Sequence, residues 1–164
     1  MMDDPRDRAA RRADENEPEP ARYDRDLYGW AVEQAALLRA GRIAEADVHN
    51  IAEEIDDVGN EQYHRLESAL RIILLHLLKW DHQPDRRSRS WHLSIVVQRK
   101  HVLNVLRKNP GLKPLIDEAV TEAYDIARLE AVGQTLLDDD VFPLECPYSF
   151  EQIMERPIDW PPAD

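Results

Sequence analysis

A short stretch of the chain combines arginines with serines and tryptophans, residue types suited to binding anions. It runs over residues 80–91 and reads WDHQPDRRSRSW. Guanidinium groups pair with carboxylates and phosphates, and the free N–H groups of a helix N-terminus add to that attraction. With one more arginine downstream, the members of this arginine junction are Trp80, Arg86, Arg87, Ser88, Arg89, Ser90, Trp91 and Arg99. The sequence predicts an anion-binding site here.

The same arginines also have a structural interpretation. Residues 79–108 contain eight Lys or Arg and two Asp, a net charge of +6 within a chain of net charge −12. Arginines after a helix can bond its last carbonyls, and they can pair with carboxylates elsewhere in the fold. Suitable carboxylates are Glu33, Glu53, Glu54, Asp56 and Asp57. The sequence leaves both interpretations open.

Histidines and glutamates offer a second kind of chemistry, because helical bundles often hold metal ions between such side chains. Glu61 precedes His64 by three residues and His49 precedes Glu53 by four, so each pair shares a helix face. His101 would add a ligand from another helix. A di-iron site needs a second Glu-x-x-His motif, which the sequence lacks. The alternative prediction is a metal-dependent bundle enzyme, and the simpler interpretation is a solvated face with ion pairs.

Other catalytic signatures are missing from the sequence. It has no Gly-x-Ser-x-Gly motif, and its five glycines occur singly, so no phosphate-binding loop is predicted. Cys146 lies between Glu145 and Pro147 without a cation to activate its thiol. His76 lies in the most apolar segment and is interpreted as a core histidine bonded to a carbonyl or carboxylate. No catalytic residue and no cofactor are predicted, which favours a non-enzymatic protein without deciding the point.

Size and composition set further bounds. A chain of 164 residues with 43% hydrophobic and 33% charged residues suits one domain with a well-solvated exterior. The first twenty residues lack the apolar core of a secretory signal, and the apolar run over 72–78 is too short to span a bilayer. With a single cysteine there is no internal disulfide. A cytoplasmic protein without membrane contact is predicted.

Proline spacing predicts where the helices lie, because proline breaks a helix interior. Prolines are missing over 21–83, 85–109 and 115–142. Helices are predicted over 24–40, over 47–80 with a possible kink near Gly59, from Ser88 or Ser90 to Asn109, from Pro114 to a stop at Gly133, and briefly after Ser149. No alternating strand pattern occurs.

The predicted fold is therefore all-α, a helical bundle of four main helices with a short C-terminal helix. Residues 1–22 hold no aromatic or branched aliphatic side chain, and we predict a disordered acidic tail there. Residues 23–157 form the predicted single domain, and 158–164 form a C-terminal tail.

Three separated motifs resemble one known family. They are HLLKWDHQPDRRSRSW, LYGWAVEQAALLRAGR with the following IAEEIDDVG, and CPYSFEQIM. Together they are similar to the bacterial family of domains of unknown function numbered twenty-nine (DUF29), over residues 23–157. The resemblance implies an all-helical bundle and a bacterial source. It implies no activity and no binding residues.

Taken together, the patterns favour an interaction module that binds an anionic partner, either nucleic acid or an acidic protein segment, at the arginine junction. Self-association is a further prediction, because one of the four tryptophans could anchor an interface. These are Trp30, Trp80, Trp91 and Trp160.

Overall fold

A computed structural model describes residues 22–160. This part of the chain is all-α and contains no strand. Its helices are α1 (Leu27–Arg39), α2 (Val48–His82), α3 (Arg89–Lys108), α4 (Ile116–Thr135) and α5 (Phe150–Glu155). The predicted fold class, with four main helices and a short C-terminal one, is confirmed. The tail predicted over 1–22 lies outside the described residues except for Arg22.

Short 3₁₀ helices occupy several of the connections. They span Ile43–Glu45, Pro84–Arg86, Pro110–Leu115 and Asp139–Val141. No helix within residues 22–160 has the length and apolar character needed to cross a membrane.

The described chain divides into two compact units. An N-terminal unit reaches Asp56, and a C-terminal unit begins at Asp57. Helix α2 contributes its first turns to one unit and its remainder to the other. The predicted single domain over 23–157 stays a prediction.

Trp30 organises the N-terminal unit. Its side chain is buried, its Nε1 donates to Asp47 Oδ2 at 3.3 Å, and the Tyr23 ring packs edge-on at 4.9 Å. Gln34 Oε1 accepts a hydrogen bond from the Asp47 N–H at 2.8 Å, which fixes the start of α2 against α1. A buried indole N–H needs an acceptor, and Asp47 supplies one. Burial of Trp30 therefore does not leave an unsatisfied donor.

Helix α1 begins later than predicted. Asp26, rather than Asp24, is the N-cap, and its carboxylate accepts from the Gly29 N–H at 2.9 Å. At the other end Gly41 adopts φ +72°, and its N–H bonds the Leu38 carbonyl at 3.1 Å. This is the left-handed helix stop for which glycine is favoured.

The second half of α2 forms the centre of the C-terminal unit, as its apolar sequence predicts. Around it packs a continuous core whose members come from α2, α3, α4, α5 and the C-terminal segment. The fully buried members include Leu66, Leu70, Ile73, Leu74, Leu77, Leu78, Ile95, Val102, Ala119, Ala123, Ala127, Ala131 and Ile153. Ile158 is also buried, whereas Trp160 is 38% exposed.

Side-chain contacts fix the helix directions in this unit. Tyr63 donates to Glu122 at 2.8 Å, and further along Lys79 donates to Gln134 at 2.8 Å. Both pairs advance along α2 and α4 together, so these helices run parallel. Helix α3 runs the other way, because its last residues lie near the part of α2 that holds Gln62.

Helix α2 is continuous through Gly59, so this glycine does not end it. Ser88 is the N-cap of α3, and its Oγ accepts from the Trp91 N–H at 3.3 Å. Ser149 begins α5 as predicted, and it forms a capping box with Gln152. These caps depend on residues three apart, which is why the sequence could predict them.

The stop predicted at Gly133 is wrong. Helix α4 continues to Thr135 because the next two residues have tertiary partners. Gln134 accepts from Lys79, and the Thr135 carbonyl accepts from Gln83 Nε2 at 3.3 Å. The chain then turns at Leu136, which has φ +59° and is 88% exposed.

Replacing Leu136 by glycine should stabilise the protein. A left-handed conformation costs an L-residue roughly 1–2 kcal/mol. Glycine avoids this cost, but its more flexible unfolded chain lowers the free energy of unfolding by roughly 0.5–1 kcal/mol. We expect a net gain of about 0.5–1 kcal/mol for Leu136→Gly in urea denaturation. Leu136→Ala is the matched control, since it removes the same side chain and keeps the strain. Equal stability of the two variants would contradict the assignment of strain.

Candidate anion-binding site at the arginine junction

Local hydrogen bonds build the turn that carries the arginine junction. After α2 ends, the Gln83 N–H bonds the Lys79 carbonyl at 2.9 Å. A 3₁₀ turn over Pro84–Arg86 follows, since proline suits the first position of such a turn. Ser88 then caps α3. The two helices are thereby joined by a short connection with fixed hydrogen bonds at both ends.

Arg87 has a structural role in this connection. Its Nε donates to the Trp80 carbonyl at 2.9 Å, and its guanidinium carbon lies 5.2 Å from the centroid of the Trp80 ring. That carbonyl is one of the last four of α2, which have no partner inside the helix. Arg87 therefore completes the C-terminus of α2 and covers a core tryptophan.

Arg99 also faces the protein. Its Nε donates to the Ile153 carbonyl of α5 at 2.8 Å, and its Nη2 is buried without a partner within residues 57–160. Burial, and then the charge of Arg156, lower the pKa of Arg99. This arginine ties α3 to α5, away from the junction turn.

Arg86 and Arg89 differ from these two. Both are exposed, and within residues 57–160 neither forms a hydrogen bond or an ion pair through its side chain. Arg89 and the exposed Ser90 border an open surface groove of about 560 Å³ that also includes Leu93. The structure therefore divides the predicted cluster into two internal and two exposed arginines.

The ion-pair interpretation finds no partners in the C-terminal unit. Within residues 57–160 none of the four arginines pairs with a carboxylate, whereas Arg156 pairs with Asp81 and Arg71 pairs with Glu130. Asp57 is exposed, and the other predicted carboxylates, Glu33, Glu53, Glu54 and Asp56, belong to the N-terminal unit. Pairing with those residues stays a prediction. The bonding of helix-end carbonyls by arginine, the other half of that interpretation, is confirmed for Arg87.

The two junction tryptophans belong to the core and its edge. Trp80 is 4% exposed, and Trp91 is half-buried beneath Lys79, whose Nζ lies 4.5 Å from the ring centroid. Lys79 is itself buried, donates to Gln134, and has its pKa lowered by burial. The rings that could stack on a ligand are thus largely used inside the protein.

Near the junction lies an ion pair between Asp81 and Arg156 that no local sequence pattern indicates, because the two residues are far apart in the chain. Asp81 Oδ2 accepts from Tyr148 OH at 2.7 Å and from Arg156 Nη1 at 2.8 Å. Burial acts to raise the pKa of Asp81, but the hydrogen bonds from Arg156 and Tyr148 outweigh it and lower that pKa. Asp81 lies five residues before Arg86, yet its carboxylate is committed to the C-terminal segment.

The metal candidates do not assemble into a site. Within residues 22–160 no group of three or more His, Cys, Asp or Glu is placed to hold a metal ion. His49 Nε2 lies 3.4 Å from Glu53 Oε1, an exposed i,i+4 pair. Glu61, His64 and His101 line one open groove of about 390 Å³, but Glu61 is bonded to Arg65 instead. The observed arrangement is that of a solvated helix face with ion pairs.

The predicted bonding of His76 is wrong. Its Nδ1 is buried without a hydrogen-bond partner within residues 57–160, and its ring centroid lies 6.4 Å from that of Trp91. The expectation failed because the residues one helical turn from His76 offer no side-chain acceptor. These residues are Ile72, Ile73, Lys79 and Trp80. Burial, and then the charge of Lys79, lower the pKa of His76 to about 4.

Cys146 agrees with its predicted structural role. Its side chain packs against the core, and its Sγ lies 3.5 Å from the Tyr148 carbonyl. Burial raises the pKa of this thiol, which lowers the fraction of reactive thiolate.

The fold and the junction together define an all-α protein with an arginine-bearing turn between two packed helices. The family described as "Domain of unknown function DUF29" matches residues 22–158, so the chain belongs to the DUF29 family. No curated protein and no solved structure matches the chain.

The two classes of arginine should separate in stability measurements. Arg87→Gln removes a donor to a helix-end carbonyl and is expected to cost about 1 kcal/mol, the usual worth of such a bond. Arg86→Gln is the matched control, because it removes the adjacent, exposed guanidinium and should change stability by less than about 0.5 kcal/mol. Urea denaturation measures both. Equal losses would show that Arg86 is also structural.

His76 should make the protein less stable as the pH falls. Its pKa in the folded protein, about 4, is below its ordinary value of 6.5, so the unfolded chain gains a proton first. Stability is therefore complete above 6.5 and declines as the pH falls from 6.5 toward 4. We expect His76→Leu to flatten this part of the curve of melting temperature against pH. His64→Leu, at a side chain 70% exposed, should keep the wild-type slope.

Proposed function

We propose that this DUF29 chain is an interaction module that binds an acidic protein segment through Arg86 and Arg89. One observation carries the proposal. Of the four arginines in the predicted cluster, these two are exposed and have no side-chain partner within residues 57–160. Guanidinium groups left without acceptors on a fixed turn are ready to bind carboxylates.

The position of the turn adds to this attraction. Arg89 is the first residue of α3, and the first N–H groups of a helix have no acceptor inside it. Ser88 satisfies one of them, at Trp91. The remaining N–H groups and the helix dipole favour a negative charge at the same end. The cost of ordering the site is reduced because Arg87 and Ser88 already hold the turn.

The protein surface favours an acidic protein segment over nucleic acid. Single-stranded nucleic acids gain affinity by stacking bases on aromatic rings. At this site Trp80 is buried, and Lys79 covers Trp91. The net charge of −12 also repels a polyphosphate at long range, whereas a short acidic segment can contact the junction alone. A cytoplasmic bacterial protein, as the sequence predicts, is the setting of this proposal.

The expected affinity is modest. An exposed ion pair contributes about 0.2–1 kcal/mol, and bidentate or network geometry raises this figure. Two arginines and a helix N-terminus therefore support weak, reversible binding. Salt should weaken it strongly, because exposed charges are screened beyond a Debye length of about 8 Å at physiological ionic strength.

Fluorescence anisotropy with a labelled peptide of consecutive glutamates tests the proposal. The double variant Arg86→Gln, Arg89→Gln should bind about tenfold more weakly, which corresponds to about 1.4 kcal/mol, and should melt like the wild type. The matched control is Lys108→Gln, Lys113→Gln, which removes the same charge from two exposed positions that have no side-chain partner within residues 57–160. It should lose much less affinity.

Two results would contradict the proposal. Equal loss in both double variants would mean that the peptide responds to net charge alone. Tighter binding of a labelled single-stranded oligonucleotide than of the peptide, abolished by the same Arg86 and Arg89 changes, would assign the site to nucleic acid instead.

A further inference from the structure

Helix α3 presents a basic and apolar face to solvent. Leu93, Val97 and Leu103 are 46%, 55% and 59% exposed. Lys100 and Arg107 lie on the same side, because residues three, four and seven apart share a helix face. The opposite side of α3 carries buried residues such as Ile95 and Val102. Three large apolar side chains are thus displayed between cations, away from the core.

Helix α4 presents the complementary face. Ile126 and Leu129 are 45% and 65% exposed, and Leu136 follows at 88%. The carboxylates of Glu118 and Asp125 are exposed on the same side, and within residues 57–160 neither forms a hydrogen bond or ion pair. The buried alanines of α4 are on the opposite side. This face is apolar and acidic where that of α3 is apolar and basic.

The end of the α4 face also carries strain. Leu136 holds φ +59°, which glycine would adopt without cost, and its side chain gains nothing from burial. Beside it, Gly133 is exposed and has no atom within 4 Å of the position of a Cβ. A leucine kept in a strained and exposed position on an open surface is suited to contact with another molecule.

We propose that these faces bind each other between copies of the chain, with α3 of one copy packing on α4 of the next. Charge complementarity selects the occupant, because cations flank the apolar stripe of α3 and carboxylates flank that of α4. Each face is on a rigid helix of the same C-terminal unit, so every copy carries both halves of the contact. The contact does not require Arg86 or Arg89, but Leu93 and Val97 line the same groove as Arg89, so α4 of another copy and an acidic peptide would compete there.

Such a contact is heterologous, because the two surfaces that meet are different. A heterologous contact leaves one unused face at each end and produces rings or open chains of copies rather than a simple two-fold dimer. The wild-type chain should therefore form a series of species whose size increases with protein concentration.

Sedimentation velocity of the full chain tests this. The wild-type sedimentation coefficient should rise with concentration. An α3 variant, Lys100→Glu with Arg107→Glu, and an α4 variant, Glu118→Lys with Asp125→Lys, should each weaken association about tenfold or more. All four positions are exposed, so both variants should fold. Their melting temperatures should fall only slightly, because Glu118 and Arg107 lie in helix end turns whose dipoles their charges favour.

An experiment that mixes the α3 variant with the α4 variant tests whether the two faces bind each other. The α3 variant keeps the acidic α4 face and the α4 variant keeps the basic α3 face, and the two reversed faces also complement each other. An equimolar mixture should therefore associate, with alternating variants in species whose size increases with concentration. The chain carrying all four reversals should associate with itself again. A wild type that stays monomeric, or a mixture in which no complex forms, would overturn the proposal. Peptide binding measured at protein concentrations low enough for the chain to be monomeric reports separately on Arg86 and Arg89.

Discussion

Leucine and isoleucine side chains cover almost the whole circumference of the second half of α2, and burying them requires helices on several sides. Each fully buried side chain of this kind contributes about 1.5–3 kcal/mol relative to exposure. The requirement is met by α3, α4 and α5, all of which contribute fully buried residues to the same core. Because most of this segment is buried, a polar group in it must find a partner or change its charge state.

The need to satisfy these buried polar groups decides which charged residues remain available to bind a ligand. Lys79 reaches Gln134 and the Trp91 ring, Asp81 is held by Arg156, and His76 has a strongly lowered pKa. The end of α2 needs a donor for its carbonyls, and Arg87 supplies it. If Arg87 bound a ligand instead, the Trp80 carbonyl would lose its hydrogen-bond donor. Only arginines without such an internal bond are therefore available to bind a ligand.

Features that depend on nearby residues could be predicted from the sequence. The proline intervals predict the four long helices, and the local sequence predicts a cap at Ser88 or Ser90 and another at Ser149. Features set by distant contacts could not be predicted. Helix α4 passes Gly133 because Gln134 meets Lys79, some fifty residues earlier in the chain. Likewise, no local sequence pattern shows that Arg87 bonds the Trp80 carbonyl while Arg86 stays exposed, because this depends on how the turn folds back on α2.

The same reasoning applies to the exposed faces of α3 and α4. A solvent-facing helix surface needs only polar residues, and single exposed leucines are ordinary. On α3 the apolar residues recur at helical spacing opposite the core, and on α4 they lead to a leucine in a strained conformation. Neither feature helps the isolated chain, since the apolar groups are unburied and the strain is uncompensated. Opposite charges beside the two stripes give them the selectivity that apolar surfaces alone lack, because a wrong pairing would bring like charges together.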